Sequence, residues 1–200
     1  MIFFEQLSDL TDNAAVAGLT ERSGVTGING MYEGYMAVAQ SLICLPKVVC
    51  HNDLHARNAF ITRQNQKPLT CVIDWASIGL GPVGLDAGTI LGGATNWRAD
   101  EARLIANIEG ELFTEYLLGL KDAGFVCERD QVRLGYLSNF VPYLWYYVIA
   151  AIGMPSGPLS RMYSKRFGAE GDDLLDQFAL RLRLFMPLFD EAVSLAKQLG

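Results

Sequence analysis

Asp53, Asn58 and Asp74 are the residues of this chain whose types and spacing could do chemistry. The first two lie in His51-Asn52-Asp53-Leu54-His55-Ala56-Arg57-Asn58, and the third ends the apolar run Val72-Ile73-Asp74 before Trp75. Moving a phosphoryl group from a nucleotide to a hydroxyl needs oxygen ligands for the metal ions on the phosphates. It also needs a carboxylate that orients the hydroxyl and accepts its proton. Asp53 is of the type to be that carboxylate, Asn58 can offer an amide oxygen to a cation, and Asp74 can meet a hard metal such as Mg2+.

Short extended segments must position these groups. Val48-Val49-Cys50, Ala59 to Thr62 and Thr70 to Ile73 read as strands, with Arg63 to Pro68 as the turn joining the last two. Asp53 then sits in a loop between strands, free to project into a cleft, and Asp74 ends a buried strand. Around this centre the pattern is helical. Phe3, Phe4, Leu7 and Leu10 have helix-like spacing; Gly24 to Gly30 reads as a plain loop, and Tyr32 to Ile43 as a helix stopped before Pro46. Further helices are expected over Ala99 to Ala123, Arg129 to Ile152, and Asp172 to Gln198. The last carries Leu174, Leu175, Phe178, Leu182 and Phe185 on one face, with a kink at Pro187.

With those residues in view, the sequence resembles the aminoglycoside phosphotransferase family of the protein-kinase-like superfamily, which shares its arrangement with choline kinases and other small-molecule kinases. HNDLHARN matches the catalytic loop HxDxxxxN, and VIDW followed by GLGPVGLDAG matches the metal-binding segment. The resemblance implies Asp53 as catalytic base, Asn58 and Asp74 as Mg2+ ligands, His51 as a residue bracing the loop, and Asp86 as an acid fixing the surrounding loops. It covers Leu45 to about Gly93. It implies a mainly α fold with a small β element (α+β), the C-terminal lobe of a kinase-like fold, and ATP-dependent phosphorylation of a hydroxyl on a small molecule. The family's N-terminal lobe has no counterpart here: Lys47 is the only lysine before His51, and no strand-borne lysine follows Gly24, Gly27 and Gly30. A homo-oligomer and a separate chain supplying that lobe are therefore the protein partners to consider, and a non-catalytic fragment or binding module is the rival reading.

The residues also admit plainer roles. His51 and His55, the only 2 histidines, flank Asp53 as a zinc-hydrolase site might, but no third histidine exists to complete it. Asp53 could form a turn, Asn58 cap one, and Asp74 serve structure alone. His55 is a loop residue within reach of substrate or phosphate. Arg57 either neutralises the loop carboxylates or faces solvent, and Trp75 packs. Asp100, Glu101, Glu109, Glu111 and Glu115 fit a solvated helix face as well as an attraction for a cationic substrate.

Composition bounds the rest. The 200 residues suit one domain, with the helical remainder over 99–200. A formal charge of −6 argues against nucleic acid. The 4 cysteines lack a CxxC pair and read as reduced and mostly buried, which favours the cytoplasm. Tyr136 to Met154 is long enough to cross a bilayer, but Asn139, Pro142 and Gly153 interrupt it, so it reads as a buried core helix. Only 19% of residues are charged and 50% are apolar, which suggests apolar surface covered from outside.

Overall fold

The computed structural model describes residues 13–94, 99–154 and 156–200. In chain order its helices are α1 (Ala14–Ser23), α2 (Met31–Ser41), α3 (Leu85–Ala94), α4 (Ala99–Asp122), α5 (Arg129–Leu137), α6 (Phe140–Ile152), α7 (Pro158–Phe167) and α8 (Gly171–Leu199). Strands β1 (Lys47–Cys50), β2 (Ala59–Gln64), β3 (Lys67–Val72) and β4 (Gly79–Pro82) lie between α2 and α3. The described fold is mainly α with a small β part. The helix-like spacing of Phe3, Phe4, Leu7 and Leu10 falls outside the described residues.

Local signals account for the helix ends. The Asn13 Oδ1 accepts hydrogen bonds from the N–H groups of Ala15 (2.9 Å) and Val16 (3.3 Å), and so caps α1. Pro158 opens α7, where its missing N–H costs nothing. At the end of α4, Gly124 takes a left-handed φ of 72° and its N–H bonds the Lys121 carbonyl.

Helix α8 is the spine. It packs against α1, α2, α4, α5, α6 and α7 and buries Leu174, Phe178, Leu182, Phe185 and Phe189 at helical spacing. It runs unbroken past Pro187.

The long helix expected over Arg129 to Ile152 is instead two helices, α5 and α6, broken at Ser138 and Asn139. Pro142 has no N–H for the Ser138 carbonyl, and its ring crowds that oxygen, so the helix restarts with Pro142 in its first turn. Among the described residues no helix is long and apolar enough to cross a membrane. Helix α6 buries Phe140, Leu144, Trp145, Tyr147 and Val148 in the core.

The strands form two antiparallel pairs, β1 with β4 and β2 with β3. The turn expected over Arg63 to Pro68 shrinks to Asn65 and Gln66, with φ of 51° and 64°, because two left-handed residues match the twist of a tight hairpin. Strand β4 was not expected at all: Gly79-Leu80-Gly81-Pro82 has poor strand propensity. It forms because its glycines leave room for neighbours. A Cβ on Gly81 would stand 2.9 Å from the Cys50 sulphur, and one on Gly79 would stand 3.1 Å from Asn52 Nδ2. Cysteine burial also differs from expectation. All four thiols are free, but only Cys50 is buried, while Cys44 is exposed.

Helices α3 and α5 cross with backbones in contact. A Cβ on Gly88 would lie 2.0 Å from the Tyr136 carbonyl oxygen, and one on Gly135 would lie 2.0 Å from that of Val83. Gly88→Ala should therefore cost roughly 2 kcal/mol or more by overpacking. It should also move the neighbouring Asp86. Thermal melting checks this, and a midpoint equal to wild type would contradict the close approach.

Candidate active site

The loop from His51 to Asn58 joins β1 to β2, and each of its turns has a hydrogen-bonding reason. Asn52 has a left-handed φ of 62°, a conformation asparagine tolerates, and its Nδ2 donates to the Ser77 carbonyl at 3.0 Å. That bend turns two successive N–H groups toward Asp86 at the start of α3. The Asp86 carboxylate accepts from the His51 N–H at 2.7 Å and from the Asn52 N–H at 3.0 Å. Charge-assisted bonds of this kind are stronger than neutral ones.

His51 is buried, and the backbone uses both its ring nitrogens. Nε2–H donates to the Ile73 carbonyl at 2.8 Å, while Nδ1 accepts from the Asp53 N–H at 3.3 Å. This arrangement leaves His51 no lone pair for a metal, so the zinc-hydrolase alternative does not fit. Trp75 lies against the imidazole, ring centroids 4.8 Å apart, yet remains half exposed.

Asp53 and Asn58 touch. Asn58 is buried, and its Nδ2 donates to the Asp53 carbonyl at 3.0 Å and to Asp53 Oδ2 at 3.3 Å. With its amide nitrogen thus engaged, Asn58 has its Oδ1 left for a cation. The Asp53 carboxylate is half exposed, with His55 Nε2 3.6 Å from Oδ1. Arg57 is exposed, and its N–H donates to His55 Nδ1 at 3.3 Å.

Asp74 is carried to the same place by Ile73, whose peptide is held at both ends. The Ile73 N–H donates to the Asn58 carbonyl at 2.9 Å, and its C=O receives the His51 ring proton. The next residue, Asp74, has φ 61° and ψ 60°. A non-glycine residue in this region is uncommon, and Asp is among the types that tolerate it. Such conformations cluster at functional sites.

The surroundings of Asp74 differ from expectation, because β3 is not a buried strand. Phe60 and Ile73 are about half exposed (48% and 47%), and Ile61 is 75% exposed. A two-stranded hairpin has two faces, and here neither is packed into the helical core. The reading of Glu109 as a solvated acid is also corrected. It is buried on α4 and paired with Arg133 of α5, whereas Asp100, Glu111 and Glu115 are exposed.

Among the described residues no group of three or more His, Cys, Asp or Glu side chains is placed to hold a metal. The donor set beside the loop is smaller: the half-exposed Asp53 carboxylate, the exposed Asp74 carboxylate and one amide oxygen. That set suits Mg2+, which keeps several waters and takes one or two carboxylates together with substrate phosphates. A cleft of about 690 Å3 between α7 and the start of α8 contains none of these residues.

Sequence reasoning missed Tyr143, which stands against α3. No local signal marks it, because only the packing of α6 against α3 brings it there. A Cβ on Gly92 of α3 would meet the Tyr143 ring at 2.8 Å. Burial raises the pKa of the Tyr143 hydroxyl, Arg166 opposes that rise, and the charges of Tyr146 and Asp53 add to it.

Comparison with curated proteins and with solved structures gives no match. The APH profile, described as the phosphotransferase enzyme family, matches residues 8–120, more than half of the chain, including the loop from His51 to Asn58, Asp74 and Asp86. The chain belongs to the phosphotransferase enzyme family.

Proposed function

We propose that the protein is a small-molecule kinase that phosphorylates a hydroxyl with ATP, built as the C-terminal lobe of a kinase-like fold. The observation that carries this reading is the Ile73 peptide, tied to Asn58 on one side and to His51 on the other. It ties Asp74 to the loop that holds the Asp53–Asn58 pair, as a family member's metal and base groups require.

Asp53 orients the acceptor hydroxyl and takes its proton as the hydroxyl oxygen bonds to the γ-phosphorus and the bond to the β-phosphate oxygen breaks, leaving ADP. Asn58 and Asp74 hold Mg2+, which when bound neutralises charge on the phosphates. His51 and Asp86 position the loop through its backbone. His55 and Arg57, at the loop's open side, contact the substrate or its phosphate. Phe60, Leu69 and Ile73 give the nucleotide base an exposed apolar surface next to Asn58. Val49 and Leu80, directly paired across β1 and β4 and 67% and 75% exposed, offer a face for a covering lobe from a separate chain. The unpaired cysteines suit the cytoplasm.

The test is thermal melting with ATP and Mg2+. A ligand that binds the native state stabilises it by about 2.7 kcal/mol at a hundredfold excess over Kd. Asp74→Ala should remove the Mg2+-dependent part of that shift. If the wild type melts at the same temperature with and without ATP and Mg2+, the reading is wrong.

A further inference from the structure

Asp86 can hold the loop only if the first turn of α3 is itself held, and that turn is pinned from three sides. Strand β4 runs into α3 through Val83 and Gly84, both buried. On the sheet side the Val83 N–H donates to the Pro46 carbonyl at 2.9 Å, one step beyond the β1–β4 ladder. On the α5 side the backbones are in contact. Gly84 has a left-handed φ of 96°, and a Cβ there would stand 2.5 Å from the Val132 carbonyl oxygen and 2.7 Å from the Tyr136 nitrogen. A side chain of α4 closes the third side: the Gly84 N–H donates to the hydroxyl oxygen of half-buried Tyr116 at 3.2 Å.

That bond has no substitute within the helix. The Gly84 carbonyl accepts the Gly88 N–H at 3.0 Å, but the Gly84 N–H lies ahead of the helical pattern and needs a partner from elsewhere. A buried N–H left without an acceptor costs about as much as a lost hydrogen bond, so the turn would shift to satisfy it. Any such shift moves Asp86, which follows in the same turn. The Asp86 carboxylate takes the N–H groups of His51 and Asn52, and the next residue along the loop is Asp53. Tyr116 is thus joined to the base by hydrogen bonds and two short runs of backbone.

We propose that Tyr116 is a positioning residue of the kinase site: its hydroxyl fixes the Gly84 turn and, through Asp86, the backbone that aims the Asp53 carboxylate. This deepens the kinase reading of the same site and rests on it for the effect on turnover alone. The hold on the loop follows from the hydrogen bonds themselves.

Tyr116→Phe keeps the ring and removes the oxygen. In the 15N-labelled full chain, NMR should show the Gly84, His51 and Asn52 amides exchanging with solvent about tenfold faster than in the wild type, while Phe178 and Leu182 of α8 keep their rates. With ATP, Mg2+ and water as acceptor, kcat for ADP release should fall about tenfold and KM for ATP stay within about twofold, since a small displacement of a catalytic group suffices for that. Both effects must pass through Asp86. Asp86→Asn should also quicken exchange at His51 and Asn52. Adding Tyr116→Phe to it should change those two amides and kcat by less than about twofold further, while Gly84 still responds.

Unchanged exchange at His51 and Asn52 in Tyr116→Phe, faster exchange throughout α8, or full additivity with Asp86→Asn would overturn the proposal. So would an unaltered kcat in a protein that turns over. The expected amide pattern in a protein that ATP and Mg2+ do not stabilise would sustain the hold of Tyr116 on the loop and reject the kinase reading.

Discussion

Asp53→Asn should lower kcat by about 10²- to 10⁴-fold, the usual contribution of a positioned acid or base, and leave the Kd for ATP and Mg2+ within twofold of wild type. Asparagine keeps an oxygen that can accept the Asn58 Nδ2 hydrogen bond (3.3 Å to Oδ2 in the wild type), so the loop should hold its shape. What it loses is the ability to take the hydroxyl proton. A coupled assay for ADP release and calorimetry for the nucleotide separate the two quantities. A variant that turned over at the wild-type rate would remove Asp53 from the mechanism. One that lost nucleotide binding would instead make it a metal ligand.

The second large effect is on stability. Arg133 of α5 is buried among Glu109 of α4, Glu191 of α8 and the rings of Phe113 and Tyr136. Its Nη2 lies 3.2 Å from Glu109 Oε2 and 2.8 Å from Glu191 Oε2, and its guanidinium carbon is 4.6 Å from the Phe113 ring centroid. Burial lowers the Arg133 pKa, but the bonds to Glu191 and Glu109 more than offset that and raise it overall, so the group is charged at every accessible pH. Arg133→Met should cost about 3–5 kcal/mol, because Glu109 is left buried with its charge unpaired. For a chain of this size, that lowers the melting temperature by roughly 10 °C.

Replacing both partners, Arg133→Met with Glu109→Leu, should recover most of the loss, since an apolar pair of similar volume is often as stable as a buried ion pair. Glu191, whose side chain is 38% exposed, can turn to water. If the single variant lost less than about 1 kcal/mol, the pair would be solvent-screened in solution. The pair also bears on function, because Gly88 of α3 lies against Tyr136, next to Arg133 on the same helix. Disturbing that crossing should reach Asp86, and through it the loop.

Much of the helical part was legible in the sequence. The ends of α2 and α4 follow from Pro46 and Gly124, and the buried stripe of α8 from its 3.6-residue period. These are local signals, decided by backbone sterics and by apolar periodicity within a few turns. The break between α5 and α6 was marked by Pro142 but lost under a continuous apolar run. Strand β4 was illegible because a glycine- and proline-containing tetrapeptide becomes a strand only when β1 and Asn52 require its small residues. The burial of Glu109 was illegible for a similar reason: an acid on a long helix looks solvated until another helix delivers an arginine to it.

The sequence by itself determined the family and the three groups that could do chemistry, since HNDLHARN and VIDW carry their residue types at spacings independent of the rest of the chain. Only the tertiary structure decided what ties those groups together. Asp86 on α3 holds the His51–Asn52 backbone, and the Ile73 peptide ties β3 to the loop. Tyr143 reaches α3 from a helical hairpin remote from both motifs. The physical reason is the range of the forces involved. A motif encodes local chemistry, while the charge and shape around it are set by packing between segments far apart in sequence.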